Sequence, residues 1–154
     1  MTTNLNSMPE PVTEWQKFAQ LSAATLYELL RFRQAIFVVE QGSPYADHDG
    51  LDQRAWHLLL RVDGGLAGYA RLVPSPLRIG RVAVAVELRR QAFGRRLMEE
   101  ALLFCRAHYP GQPVMLTAQA HLVPFYRGYG FEPTGEPFDD FGVAHVDMRL
   151  PRGP

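Results

Sequence analysis

Six arginines, Arg78, Arg81, Arg89, Arg90, Arg95 and Arg96, crowd one stretch of a chain that is otherwise balanced in charge. Within it an apolar β-branched run, Val82 to Val86, reads as a strand and gives way to a charged turn, Glu87 to Gln91. Gly94 then opens a run that reads as a helix, Arg95 to His108. A helix N-terminus presents four backbone N–H groups without internal partners and carries about half a positive charge. Set directly after a strand, floored by glycine and edged by arginine, it suits a phosphate or pyrophosphate. The alternative is an ordinary strand–turn–helix whose arginines are solvated.

The frame Arg89-Arg90-Gln91-Ala92-Phe93-Gly94 resembles the coenzyme A loop of the GNAT acetyltransferases, Gln/Arg-x-x-Gly-x-Gly/Ala. Alanine stands where the first glycine is expected, which matters only if the backbone there needs a positive φ or close phosphate approach. A second block, Gln119-Ala-His-Leu-Val-Pro-Phe-Tyr-Arg-Gly-Tyr-Gly-Phe131, follows a run that reads as a strand, Val114 to Ala118. It is similar to the next GNAT block, in which Tyr126, Gly130 and Phe131 fit directly and Gln119 takes the usual asparagine place. The stretch Leu30 to Tyr45, with Asp49, Asp52 and His57 beyond it, looks like the ElaA-type branch of that superfamily, as do Gly80-Arg-Val82, Ala118-Gln-Ala-His-Leu122 and His145. The resemblance spans about Trp15 to Leu150.

That resemblance implies acetyl-CoA as co-substrate. Val82, Ala83 and Val84 would pair with the pantetheine arm, and a bulge would turn a backbone N–H near Val84 onto the thioester carbonyl. Arg89, Arg90, Gln91, Ala92, Phe93, Gly94 and Arg95 would hold the pyrophosphate, and the Gln119 amide can both donate to and accept from a pantetheine amide. Tyr126 is the expected general acid for the leaving thiolate, an unperturbed tyrosine being protonated at neutral pH. Its alternative is an amphipathic core tyrosine. Glu40 is the candidate general base, with His57 and Glu87 behind it, and Arg33, Gln41, Tyr45 and His57 are expected at the acceptor. Glu40 could instead anchor a loop or pair with Arg33. The acidic cluster Asp47, His48, Asp49 and Asp52 matches no calcium-loop spacing, so no metal is expected.

A runner-up is a catalytically silent coenzyme A-binding sensor or interaction module. A further one is an acyl-homoserine-lactone synthase-like enzyme, which Arg33-Gln-Ala-Ile-Phe37 echoes. A dinucleotide site is excluded, since no Gly-x-Gly-x-x-Gly opens an early strand–helix unit. The acceptor is a small amine or a peptide or protein amine, and homodimerisation is left open.

These residues need a scaffold, and 154 residues supply one domain with a sizeable core. Hydrophobic content of 47% and charged content of 21% are ordinary for a globular chain. Zero net charge argues against nucleic acid or an anionic membrane as partner. Lys17 is the single lysine, so little follows from arginine at any one position. Cys105 is the only cysteine, which excludes an internal disulfide, and it reads as a small buried hydrophobe. No run reaches the ~20 apolar residues of a membrane span. Residues 1–12 are polar without a signal-peptide core and read as a disordered lead to a single domain over 13–154, with a cytoplasmic location expected.

Along the chain a short strand near Trp15 to Phe18 precedes a helix with Ser22 as N-cap and Leu26, Leu29, Leu30 and Arg33 at helical spacing. Ile36 to Val39 reads as a strand, and residues 41–54 as a loop. Trp56 to Val62 and Leu66 to Val73 flank Asp63-Gly64-Gly65, a hairpin signal. Strand, helix and strand follow, ending with Ala144 to Leu150. The order implies an α/β fold, a mixed sheet with helices on both faces, and the GNAT resemblance implies that this sheet is mostly antiparallel with about 6–7 strands.

Overall fold

The computed structural model describes residues 9–152. Residues 1–8 of the expected lead lie outside that range, and the first strand starts at the lead's last position, Val12. Eight strands form one sheet: β1 (Val12–Lys17), β2 (Trp56–Val62), β3 (Gly65–Val73), β4 (Arg78–Val84), β5 (Val114–Gln119), β6 (Glu132–Pro133), β7 (Phe138–Asp140) and β8 (Val143–Leu150). Their order is β1-β2-β3-β4-β5-β8-β6, with β7 also paired to β8. Every pairing is antiparallel except β4 with β5.

Helix α1 (Ala23–Arg33) covers one face and α2 (Phe93–His108) the other. The leucine run of β2 explains how one strand serves both, because successive side chains point to opposite faces. Leu58 and Leu60 pack with Phe93 and Leu97 of α2, while Leu59 packs with Leu29 of α1 and Tyr69. On α2 the buried residues Phe93, Leu97, Met98, Ala101, Phe104 and Cys105 fall at helical spacing. Burial pushes the Cys105 thiol up to about 12, so it is an inert packing group. A short third helix, α3 (Val123–Arg127), closes on the same core through Tyr126. A Cβ at Gly68 would stand 3.1 Å from the Leu97 side chain, so glycine there lets the first turns of α2 lie close on β3.

Most local expectations hold. Ser22 Oγ accepts from the Thr25 N–H at 3.0 Å and caps α1. Asp63 and Gly64 take positive φ, 53° and 81°, in the two-residue turn that joins β2 to β3. The run Ile36 to Val39 does not form a strand. It continues α1 as a wide helical turn, Gln34–Glu40, whose Gln41 N–H reaches back to the Ile36 carbonyl at 3.3 Å. Nothing between Ala23 and Gln41 breaks a helix, and burial of Ile36 fixes the face, so context overrides the β preference of the side chains. The strand expected at Val82 to Val86 is displaced too: β4 ends at Val84, and Val86–Leu88 is a short 3-10 turn.

Candidate active site

β4 is bulged and stands partly free of its neighbour. Its register against β3 runs Gly68↔Val84 and Tyr69↔Ala83, then jumps to Arg71↔Gly80. Arg81 and Val82 therefore oppose Ala70 alone, with Arg81 at φ 53°. The expected bulge exists two residues before Val84. On the other side β4 meets β5 in a single pairing, Arg78↔Met115, and the strands then part. Ala85 N–H donates to Ala67 O at 2.8 Å. Antiparallel residues alternate in direction, so the polar backbone groups of Val84 turn away from β3 into the opening.

That opening is a groove of about 530 Å³, lined by Val82, Ala83, Val84, Arg89, Arg90, Ala92, Phe93, Gly94, Arg95 and Gln119, as well as Glu40, Gln41 and Tyr126. Of the expected coenzyme A residues only Gln91 is off its wall. At the groove's end α2 begins. Its first internal bond runs from the Arg96 N–H to the Ala92 carbonyl at 3.0 Å, which leaves the N–H groups of Phe93, Gly94 and Arg95 without helical acceptors. Ala92 has no capping side chain. A Cβ at Gly94 would meet nothing within 4 Å, so the protein's own packing does not require glycine there and the space beside the amides is open. Ala92 and Arg90 adopt φ 62° and 71°. The glycine-favouring conformation is thus kept at Ala92 without the glycine.

A second cavity, of about 150 Å³, meets the first. Phe37, Gln41, Val82, Gln119, Leu122 and Tyr126 line both. Tyr126 is buried and packs edge-on to Phe125 and Phe131, with centroids 5.1 and 6.4 Å away. Burial, then the neighbouring Tyr129, pushes its hydroxyl up to about 12. Tyr45 stands on the wall of the second cavity, with its hydroxyl bonded to Asp47 and with Arg81 5.3 Å above its ring.

The remaining expected residues are engaged by the protein's own side chains. Glu40 lines the groove but is held by Arg89, whose NH2 donates to its Oε2 at 2.7 Å and whose NH1 contacts Oε1. The Arg89 hydrogen bond lowers the Glu40 carboxyl, which weakens it as a base. Arg33 lines neither cavity and pairs with Asp47 and Asp52 rather than with Glu40. It is fully buried, with Nε 3.0 Å from Asp47 Oδ2 and NH1 2.7 Å from Asp52 Oδ1. His57 is also fully buried. Its Nε2 lies 2.9 Å from the Asp52 carbonyl, which can only accept, so Nε2 carries the proton and Nδ1 accepts from the Tyr69 hydroxyl at 2.6 Å. Both ring nitrogens are used, and burial lowers its pKa. Of the first-half residues expected at the acceptor, Gln41 and Tyr45 line the smaller cavity, while Arg33 and His57 belong to a buried network and line neither cavity.

Arg71 and Arg81, not foreseen at the site, complete that network. Arg71 grips Asp49 with both terminal nitrogens at 2.9 and 2.7 Å and reaches Asp52 at 3.1 Å. Arg81 Nε lies 2.8 Å from Asp47 Oδ1 in ion contact, off hydrogen-bond alignment, and its NH2 reaches Asp49 at 3.2 Å. These arginines neutralise the acidic cluster and clamp the 43–52 loop to β3 and β4. Phe37 and Phe141 are likewise found on the second cavity's wall. No spacing in sequence pairs a loop aspartate with an arginine on a strand twenty or thirty residues later.

Residues 19–151 match the family model of the acetyltransferase (GNAT) domain. Protein ElaA of Escherichia coli K12 is 42% identical over 144 residues, which is 88% of this chain and 94% of that protein. The crystal structure of Escherichia coli ElaA superposes with a TM-score of 0.84 at 41% identity, covering 90% of this chain and 99% of that one. An acyl-CoA N-acyltransferase from Pseudomonas aeruginosa gives a TM-score of 0.85 at 37% identity, covering 91% and 99%. A coenzyme A-dependent acyl-homoserine lactone synthase, BjaI, shares the fold at 18% identity, with a TM-score of 0.75 over 91% of this chain and 82% of that one.

Proposed function

Because the chain belongs to the GNAT acetyltransferase family, we propose that this N-acyltransferase moves an acetyl group from acetyl-CoA to an amine by direct attack, with donor and acceptor bound together. The observation that carries this is the meeting of two cavities at Val82, Gln119 and Tyr126. A donor entering along the groove and an acceptor entering the smaller cavity reach the same three side chains.

The amides of Phe93, Gly94 and Arg95, with Arg89 and Arg90 beside them, bind the pyrophosphate through charge-assisted hydrogen bonds. The outward N–H of Val84 pairs with the pantetheine arm as an added strand would, beside a carbonyl that already accepts from Arg89 Nε at 3.1 Å, and Gln119 serves an amide from the opposite wall. The Arg81–Val82 bulge lies at the junction, which Val82 lines, and a backbone N–H it frees is the donor assigned to the thioester oxygen, worth about 3 kcal/mol in the transition state. Tyr126 keeps its proton at neutral pH, as an unperturbed tyrosine does, and burial raises its hydroxyl further. The same burial makes complete transfer to a thiolate near 8.5 uphill, so its main action is a hydrogen bond to the sulfur as charge develops there. Glu40 acts on Arg89 at the donor end. Arg33, His57 and the three aspartates hold the acceptor loop.

Incubation of the full chain with acetyl-CoA and a panel of primary amines tests this, with free thiol and N-acetyl product as readouts. Equal appearance of the two is expected. Calorimetric binding of acetyl-CoA without release of its thiol in the presence of any amine would leave a coenzyme A-binding module instead.

A further inference from the structure

With Glu40 held by Arg89, His57 bonded through both nitrogens and Glu87 exposed on neither cavity wall, none of the groups expected to take the acceptor's proton stands free at the smaller cavity, and the nearby Asp47, Asp49 and Asp52 are held by arginines. His145, on β8, stands on the wall of the smaller cavity and is half-buried. Its Nδ1 is 2.8 Å from the Val143 carbonyl. A carbonyl oxygen only accepts, so Nδ1 carries the proton of the neutral ring and the lone pair lies on Nε2. The ring is stacked on Phe138 of β7, with centroids 6.2 Å apart and planes at 30°. Across the sheet its partner is Gln119, one of the residues where the two cavities meet. Directly paired residues hold their Cβ atoms about 5 Å apart, which puts the imidazole beside the junction. Its tautomer, its clamp and its register are those of a positioned general base.

We propose that His145 is the catalytic base, taking through Nε2 a proton from the acceptor amine as that amine attacks. This rests on the acetyltransferase function proposed above. The acceptor nitrogen forms the new C–N bond and the C–S bond breaks. The proton lost by nitrogen goes to His145 and reaches the leaving sulfur through solvent or the Tyr126 hydroxyl, so amide and thiol are formed with no net proton released from a neutral amine. An ammonium acceptor gives one further proton to solvent. The groups sharing the cavity wall with His145 are Asp140 from β7, Arg81 from β4, Tyr45 from the loop and Tyr126 from α3, and Asp147 lies on its own face of β8. Asp140 is exposed and unlike the other loop-side carboxylates is placed to attract a cationic acceptor.

The test compares the native chain with His145→Gln, His145→Ala and Asp140→Asn, using acetyl-CoA and a weakly basic amine already uncharged across the pH range. That choice removes the acceptor's own ionisation from the profile. His145→Gln should lower kcat by roughly 10²–10⁴-fold with unchanged calorimetric affinity for acetyl-CoA, and should lose the acidic limb of the kcat/KM profile. Added imidazole should restore part of the rate to His145→Ala. A glutamine variant with native rate and native acidic limb overturns the assignment, as does loss of that limb in Asp140→Asn alone. Absence of turnover by the native chain with bound acetyl-CoA would instead remove the acetyltransferase function, and the base with it. A melting temperature measured for each variant separates loss of chemistry from loss of fold.

Discussion

Arg89 holds Glu40 with both terminal nitrogens while its Nε donates to the Val84 carbonyl at 3.1 Å. One side chain therefore ties the turn after α1 to the strand edge that a pantetheine arm would use. Arg89 is about two-fifths exposed, as is Glu40, so the pair adds little stability, about 0–1 kcal/mol. Its importance is competitive, because Glu40 and a pyrophosphate want the same guanidinium. Glu40→Gln should tighten acetyl-CoA binding up to about tenfold, or ~1.4 kcal/mol, and move the melting temperature by no more than roughly 4 °C. Calorimetry and pH–rate profiles check this. A fall in kcat with unchanged affinity would return Glu40 to the role of base.

Ala92 carries the left-handed conformation that the loop requires, at φ 62°. A non-glycine residue there costs roughly 1–2 kcal/mol. Ala92→Gly removes that strain and adds about 0.5–1 kcal/mol of chain entropy to be lost on folding. The net expectation is stabilisation of up to ~1 kcal/mol, a rise of about 2–4 °C in melting temperature, with acetyl-CoA affinity no weaker. A lower melting temperature would mean that the Ala92 methyl makes a contact more useful than the strain it carries.

Sequence patterning picked out the groove wall more fully than the smaller cavity, where of the residues expected at the acceptor only Gln41 and Tyr45 stand, for a physical reason. The groove's loop is local: strand, turn and helix start lie within about fifteen residues, so spacing carries the information. Tyr126 and Gln119 belong to a second contiguous block. The acceptor side is built by register between distant strands. His145 enters because β8 pairs with β5 at Gln119, and Arg71 and Arg81 enter because β3 and β4 pass under the 43–52 loop. Ile36 to Val39 misled because a β-branched run looks alike in a strand and in a buried helical turn; the error hid Phe37, which the turn places at the junction.

Stability should fall with acid in two stages. His57 is held neutral by burial, below its ordinary 6.5. The unfolded chain binds that proton more readily, so stability is full above pH ~6.5 and declines as pH drops below it. Asp49 is pushed up by burial, but the hydrogen bonds from Arg71 and the Leu51 N–H and the nearby arginine charges outweigh this and hold it at about 2, against an ordinary 3.8. Asp52 is lowered in the same direction by Arg33 and Arg71 against its own burial. Their contributions are present above pH ~4 and are lost as pH falls through the folded values. Thermal unfolding from pH 8 to 2 should show a shallow decline below about 6.5 and a steeper one below about 4. His57→Gln should abolish the first stage alone. A single acid transition in both proteins would mean that His57 is protonated in the folded state.

Tyr126 separates packing from chemistry most directly. Its ring belongs to the core with Phe131 at its edge, so Tyr126→Phe should leave the melting temperature and acetyl-CoA affinity near native. Only the hydroxyl is lost, and with it the hydrogen bond to the departing sulfur. General acids typically contribute 10²–10⁴-fold. Because burial has raised this hydroxyl to about 12, transfer to the thiolate is uphill, which puts the expected loss at the lower end, about 10²-fold in kcat. A poorer thiolate leaving group should widen the gap between native and variant, since more of its charge then has to be stabilised by Tyr126. Measuring kcat for acetyl-CoA and for acyl donors with more basic thiols gives that comparison. Equal rates for native and variant across the series would confine Tyr126 to packing and leave the sulfur's proton to come from solvent.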